Sequence, residues 1–181
     1  MKKLLSLSLA LVLVLSVVSF AAADSHAVKH GLGMVTSIGS VADATAEKAG
    51  AAQVNTTVCS VLLDAEGKIV SVIWDVQQSK IQFTTEGKPV DLPAELKTKL
   101  EKGEAYGMLK ASAIGKEWFE QIEAFGAYCV GKTVEEVLSI PVFERDATHK
   151  AVPDVEELKA SVTVTVGDYL ASLKKAADSA K

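Results

Sequence analysis

The chain has 181 residues, with 19 lysines and arginines against 23 aspartates and glutamates, and a formal charge of −4. Its single arginine is Arg145; an acidic chain without clustered cations cannot displace the counterions of a nucleic acid, so no nucleic-acid partner is expected. The length suits one domain with one buried core, and two cysteines, Cys59 and Cys129, are too few for a disulfide framework.

Lys2 and Lys3 precede an apolar run from Leu4 to Phe20, and Ala21-Ala22-Ala23-Asp24 follow. Charge, greasy core and small residues in this order predict a secretory signal peptide over residues 1–23, cleaved near Ala23. The run is short for a spanning helix, which needs about 20 residues, and no cysteine at the junction offers a lipid acceptor. Cleavage removes two lysines and leaves 17 cations against 23 acids, a charge of −6. The expected location is extracellular or in the cell envelope, with no evident membrane anchor.

Residues 24–52 are rich in Ala, Gly, Ser and Thr and read as a partly flexible N-terminal extension. A short helix is expected over Val41–Gly50, and a single α+β domain over residues 53–181. His26 and His30 are four apart, but two histidines without a third ligand make a weak metal site, and a solvated segment is the simpler account.

Val54–Leu63 is dense in β-branched residues and reads as a strand. Asp64–Lys68 reads as a tight turn around Gly67. Ile69–Trp74 returns as a second strand, with Val70, Val72 and Trp74 on one face and Ile69, Ser71 and Ile73 on the other. Lys80–Phe83 reads as a third strand, ending at the turn Glu86–Pro89. Helical spacing follows from Pro93, with Leu96 and Leu100 on a segment closed by Gly103. A stronger helix is expected over Ser112–Tyr128, where Ile114, Trp118, Ile122 and Phe125 face inward and Lys116, Glu117 and Glu120 outward. Thr133 and Glu136 form a capping box for a short helix stopped at Pro141. Val162–Val166 reads as a strand leading into a terminal helix that Asp168 caps, with Leu170, Leu173 and Ala177 as its stripe. The class is α+β: an antiparallel hairpin or meander sheet against helices, with a C-terminal strand–helix element.

Chemistry is sparse. The sequence has no nucleophile elbow, P-loop or dinucleotide fingerprint. Glu135–Glu136 and Glu156–Glu157 stand at helix starts, where the macrodipole favours negative charge. Asp75 either orients a ligand or begins a loop, the loop being the simpler account. Trp74, Tyr106, Trp118, Phe119, Tyr128 and Tyr169 either wall a pocket for a planar ligand or fill the core, with core the default for Trp118 and Trp74 the more open of the two tryptophans. Cys59 and Cys129 read as buried thiols in preference to a disulfide. His149 sits in a polar loop with no nucleophile motif to serve. A hydrolase ranks last, its one route being a pocket in which folding joins Asp75, His149 and a serine.

The strand pair closed by DAEGKIVSVIWD (Asp64–Asp75), the helical middle, and the stretches YGMLKASAIGKEWFEQ (Tyr106–Gln121) and SVTVTVGDYLASLKKA (Ser161–Ala176) resemble the FMN-binding domain family of exported bacterial proteins. That family includes the flavin-carrying subunit of sodium-pumping quinone reductase, surface electron-transfer flavoproteins and clostridial secreted relatives. The resemblance implies a flavin binder or electron carrier at the cell surface. Covalent members carry D-x-x-[ST]-G-A-[ST], whose last residue esterifies the FMN phosphate. Here Glu157 replaces the aspartate, Ala160, Ser161 and Val162 depart from the pattern, and Thr163 keeps the acceptor. The missing glycine matters because close approach of backbone to phosphate needs a missing side chain. The resemblance therefore implies noncovalent FMN, or another planar small molecule, in preference to the ester. The residues it points to are Thr163, Glu157, Ser161, Trp74 and Asp75. A noncatalytic ligand-binding or surface-interaction protein that has lost the flavin is the alternative, and the sequence names no redox partner.

Overall fold

The computed structural model describes residues 28–90 and 92–181; the expected leader and His26 lie outside the described residues. The fold is α+β. Strands β1 (Lys29–Ala42), β2 (Gly50–Leu63) and β3 (Ile69–Phe83) form an antiparallel meander, and the two-residue β4 (Pro89–Val90) pairs with the far end of β3. The β2–β3 turn forms as expected: Gly67 takes a φ of 81°, open only cheaply to glycine, and the Lys68 amide donates to Asp64 Oδ1 at 2.7 Å.

The sheet begins earlier than expected. Residues 29–42 are a strand rather than a flexible extension, and no helix forms over Val41–Gly50, since Gly50 opens β2. The reason lies in the small residues that make this segment look unstructured. A Cβ on Gly31 would sit 1.9 Å from the Ala176 carbonyl oxygen, and one on Gly33 would sit 2.0 Å from that of Ser172. A helix lies directly on this strand, and only glycine lets the two backbones approach so closely.

Two further expectations about the sheet are corrected. Lys80–Phe83 is not a separate strand but the end of the 15-residue β3, which runs straight through Asp75, Gln77 and Gln78. Those polar residues look like a loop, yet each pairs across to β2. The face assignment of the second strand also fails at its start. The register slips between Leu62↔Ser71 and Leu63↔Ile69. This bulge turns Ile69 inward (1 % exposed) and Val70 outward (47 %).

The helices are shorter than their periodicity suggests. Helix α1 (Lys99–Lys102) starts from a Thr98–Glu101 capping box, and Gly103 ends it at a φ of 49°. Helix α2 (Trp118–Cys129) starts at Trp118, not Ser112. Glu117 is its N-cap and is turned inward rather than to solvent, only 6 % exposed, accepting from the amides of Met108 (2.8 Å) and Leu109 (3.0 Å). Helix α3 (Val134–Leu138) has the expected capping box, with the Thr133 amide donating to Glu136 Oε2 at 2.7 Å. A small ladder of β5 (Val142–Phe143) and β6 (Val152–Pro153) follows, with the Arg145–His149 loop between them.

Residues 162–166 belong to no strand. Val162 and Val166 are buried at 1 % and 0 % exposure, and this burial produces the strand-like alternation. Helix α4 (Gly167–Ser179) follows, with Val166 at the N-cap and Asp168 in the first turn without a cap bond. Its buried face is Tyr169, Ser172, Leu173 and Ala176, so the stripe is rotated from Leu170 and Ala177.

The core lies between the sheet and α2 and α4, where Cys59, Val61 and Trp74 meet Phe125, Cys129 and Leu173. Cys59 and Cys129 are free buried thiols, each pushed up to about 12 by burial. No described helix is long and apolar enough to cross a membrane.

Candidate functional site

Strands β2 and β3 extend beyond the helices that cover their inner face, and polar side chains replace the core there. Asn55 and Gln78 are direct cross-strand partners, in line with buried Thr57 and Val76 further in. Above them lie two cavities of about 640 and 150 Å³ that share Asn55, Gln78, Lys99, Thr165 and Tyr169 and so form one groove. The larger cavity falls in the size range of small-molecule sites, roughly 300–1,000 Å³.

Aromatic residues make one side. Tyr106 and Trp118 meet edge-on at 6.4 Å, and Trp118 Nε1 donates to the Tyr169 hydroxyl at 2.9 Å. Trp74 lies behind, donating to the Tyr169 carbonyl at 3.0 Å and stacking on Phe125 at 5.2 Å. The groove's aromatic wall is thus the outer edge of the core, locked by hydrogen bonds. Burial pushes the hydroxyls of Tyr106 and Tyr169 up, so both stay protonated.

Lys99, Arg145 and His149 face the groove. Lys99 Nζ sits 4.6 Å from the Tyr106 ring centroid and 5.0 Å from that of Trp118. Burial, with Lys102 adding to it and Asp75 opposing, brings Lys99 down to about 8. Arg145 donates to the Thr163 carbonyl at 3.0 Å. His149 sets Nδ1 on Asp146 at 2.7 and 2.8 Å, leaving Nε2 on the other side of the ring. The Thr148 hydroxyl first, then the His149 ring, hold the Asp146 carboxyl well below the usual carboxylate range.

The five residues indicated by sequence are not gathered together. Thr163 lines the groove. Its amide and its hydroxyl both donate to Gln121 Oε1, at 2.9 and 3.2 Å. Glu157 is exposed on a 3₁₀ turn (Glu156–Leu158), and Ser161 donates to the Leu158 carbonyl at 3.3 Å, outside the groove lining. Trp74 is core, 2 % exposed. Asp75 is in mid-strand rather than at a loop, and its Oδ1 accepts from the Leu100 amide at 3.2 Å, which anchors the first turn of α1 and so places Lys99.

Sequence reasoning missed Gln121, Lys99, Asn55, Gln78 and Thr165. Gln121 had a signal: it is a polar residue inside the Trp118–Ile122–Phe125 stripe, and it is fully buried. It also donates to Ser112 Oγ and the Lys116 carbonyl, both at 3.2 Å. The other four carry no local signal, because Asn55 and Gln78 meet only through the β2–β3 pairing, and Lys99 and Thr165 reach them from α1 and from the segment before α4.

The hydrolase route is not assembled. His149 and Ser112 both line the groove, but Asp75 does not. Ser112 Oγ accepts from the Lys116 amide at 3.2 Å as well as from Gln121, so its oxygen is engaged in holding the loop.

No family model matches the sequence, and no solved structure matches it. A curated protein named chlorophenol reductase, from Desulfitobacterium hafniense, is 32% identical over 122 residues, covering 60% of this chain and 36% of that protein. The chain therefore spans little more than a third of the relative's length.

Proposed function

We propose that the chain is an exported FMN-binding-like protein whose groove holds a planar, anionic cofactor of the FMN type noncovalently, serving as a flavin binder or electron carrier at the cell surface. The observation that carries this reading is the groove itself: Tyr106, Trp118 and Tyr169, the last two hydrogen-bonded to each other, line one cavity of about 640 Å³ together with Lys99, Arg145 and His149. Planar rings favour aromatic walls, and phosphate favours cations with directed donors. Thr165 lines the groove, and its hydroxyl is buried without a hydrogen-bond partner. Bound FMN would supply one- and two-electron redox chemistry, and the protein would supply orientation and electrostatics.

The residues favour noncovalent binding. The Thr163 hydroxyl donates to Gln121, and no glycine precedes it to admit a phosphate against the backbone. Arg145 and His149 stand on the Thr163 side of the groove, where a phosphate would find the free guanidinium donors and the imidazole Nε2. The activity in the relative's name is not carried over, since most of that protein lies outside the match.

A spectrum tests this reading. Purified protein carrying flavin absorbs at about 450 nm, and apo protein quenches the fluorescence of added FMN. Intact mass separates noncovalent flavin from an ester at Thr163. Colourless protein that leaves FMN fluorescence unchanged overturns the proposal. The second reading is a noncatalytic ligand-binding or surface-interaction protein, favoured by an apolar outer sheet face on which Leu32, Ile38 and Ile73 are 57 %, 69 % and 60 % exposed.

A further inference from the structure

The flavin reading leaves unassigned what happens where the two cavities meet. Lys99, Thr165, Asn55, Gln78 and Tyr169 line both of them; Asn55 accepts from Gln53 and the Tyr169 hydroxyl from Trp118, while the side chains of Lys99, Gln78 and Thr165 make no hydrogen bond among the described residues. The ion pairs among the described residues join Arg145 and His149 to Asp146, Lys159 to Glu156 and Lys174 to Asp178, and none includes Lys99. The Thr165 hydroxyl is buried without any hydrogen bond. An unpaired cation and an unpaired hydroxyl on one wall, in surroundings dry enough to weaken the lysine's hold on its proton, form half of an interaction. The neighbouring Asn55 and Gln78 side chains add amide donors across the floor.

We infer that Lys99 and Thr165 form a subsite for a planar aromatic ring bearing a negatively polarised oxygen edge, the chemistry shared by a phenolate and by the dione–imide edge of a flavin. The ring would lie along Tyr106 and Trp118, which already hold the Lys99 ammonium at 4.6 and 5.0 Å, and its oxygen would take the charge-assisted bond that Lys99 lacks. This inference rests on the groove being a ligand site, but it assigns the charge recognition to the inner end and not to the Arg145–His149 side where a phosphate would sit. The side chain is positioned from two directions: the Thr98–Glu101 capping box starts its helix, and Asp75 on β3 holds the Leu100 amide at 3.2 Å. The charged and titratable groups around it are Asp75 on β3, Lys102 on α1, Tyr106 after α1, and Asp168 and Tyr169 on α4. With Lys99 brought down to about 8, an anion that restores its charge is bound most tightly below that pH.

The test uses the full chain without FMN and three probes: 4-nitrophenol, whose anion is yellow, its uncharged methyl ether 4-nitroanisole, and FMN. Wild-type protein should bind 4-nitrophenolate and increase the yellow fraction at a pH where the free phenol is part-ionised, while 4-nitroanisole binds at least about tenfold more weakly. Lys99→Met should weaken the phenolate about tenfold to a hundredfold and leave the ether unchanged, and Lys99→Arg should recover most of the loss. Equal affinity for phenolate and ether, no phenolate binding, or undiminished phenolate binding by Lys99→Met each overturns the inference. The phenolate–ether comparison needs no variant, so a misfolded Lys99→Met leaves the test intact. FMN separates the two claims. Displacement of phenolate by FMN supports both, whereas phenolate binding that depends on Lys99 without FMN binding keeps the subsite and removes the flavin.

Discussion

Burial acts on Lys99 and on the two cysteines in opposite directions, because one carries its charge when protonated and the others when deprotonated. Lys99 falls from an ordinary 10.5 to about 8, so between those pH values the unfolded chain holds a proton that the folded chain has released. Stability therefore rises with pH across that window. Cys59 and Cys129 rise from 9.0 to about 12, so the folded chain keeps protons that the unfolded chain loses, and stability falls as pH climbs past 9.0. Tyr106, Tyr128 and Tyr169, also raised by burial, push the same way above 10.0. The expected profile from urea unfolding is a shallow rise from pH 8 to 9 and a steeper fall above it. Lys99→Met should remove the rise, and Cys59→Ala with Cys129→Ala should soften the fall. A profile flat from pH 8 to 11 contradicts the burial of all three groups. The thiols were legible from the apolar residues around them, whereas Lys99 was not, since its own segment, Leu96–Lys102, is mostly charged and looks solvated.

At the scale of elements, local rules were right where a cap or turn is built from neighbours in sequence. The Thr133–Glu136 box and the Gly67 turn formed as expected because every partner lies within a few residues. The helix over Ser112–Tyr128 was mistimed for the opposite reason. Residues 107–117 form a loop held by a carboxylate rather than a first helical turn, and an apolar residue such as Ile114 keeps helical spacing without being helical. Glu117 does two jobs at once, accepting from Met108 and Leu109 and capping α2 in a reciprocal box with Glu120, whose Oε2 takes the Glu117 amide at 2.7 Å. Glu117→Ala leaves two amides of a partly buried loop without acceptors and is expected to lower stability by about 2–3 kcal/mol, and Glu117→Gln by about half of that. The same loop carries Met108 and Ser112 along the groove, so Glu117→Ala should weaken ligand binding in step with stability. Denaturant midpoints and the phenolate titration measure the two effects on one sample. A variant as stable as wild type would show that water satisfies these amides and that the carboxylate is dispensable.

For the whole molecule, the α+β class followed from the order of signals, but the extent of the sheet did not. Residues 29–42 read as part of a flexible extension because Gly, Ser and Thr interrupt their apolar residues, and the structure shows why two of those glycines suit a strand that carries a helix. Gly31 and Gly33 let α4 rest on the backbone of β1, and the C-terminus is stitched to the same edge. The Ser179 hydroxyl donates to the Leu32 carbonyl at 2.9 Å and accepts from its amide at 3.1 Å, while the His30 amide donates to the Lys181 carbonyl at 3.0 Å. Helix α4 also carries Tyr169, which anchors Trp74 and Trp118 together, so loosening β1 should reach the groove through α4. Gly33→Ala would place a methyl 2.0 Å from the Ser172 carbonyl, a clash with backbone that only movement of the helix relieves. The expected loss is about 3 kcal/mol or more, at the upper end of overpacking. A chain starting at Gly50 should lose cooperative unfolding, because it uncovers Ser172 and Ala176 and leaves β2 as an edge. Thermal unfolding followed by tryptophan fluorescence reports both variants, since Trp74 and Trp118 each hydrogen-bond to Tyr169 on α4. If the shortened chain unfolds in one transition near the wild-type temperature, β1 is the accessory segment its composition suggests, and the groove does not depend on it.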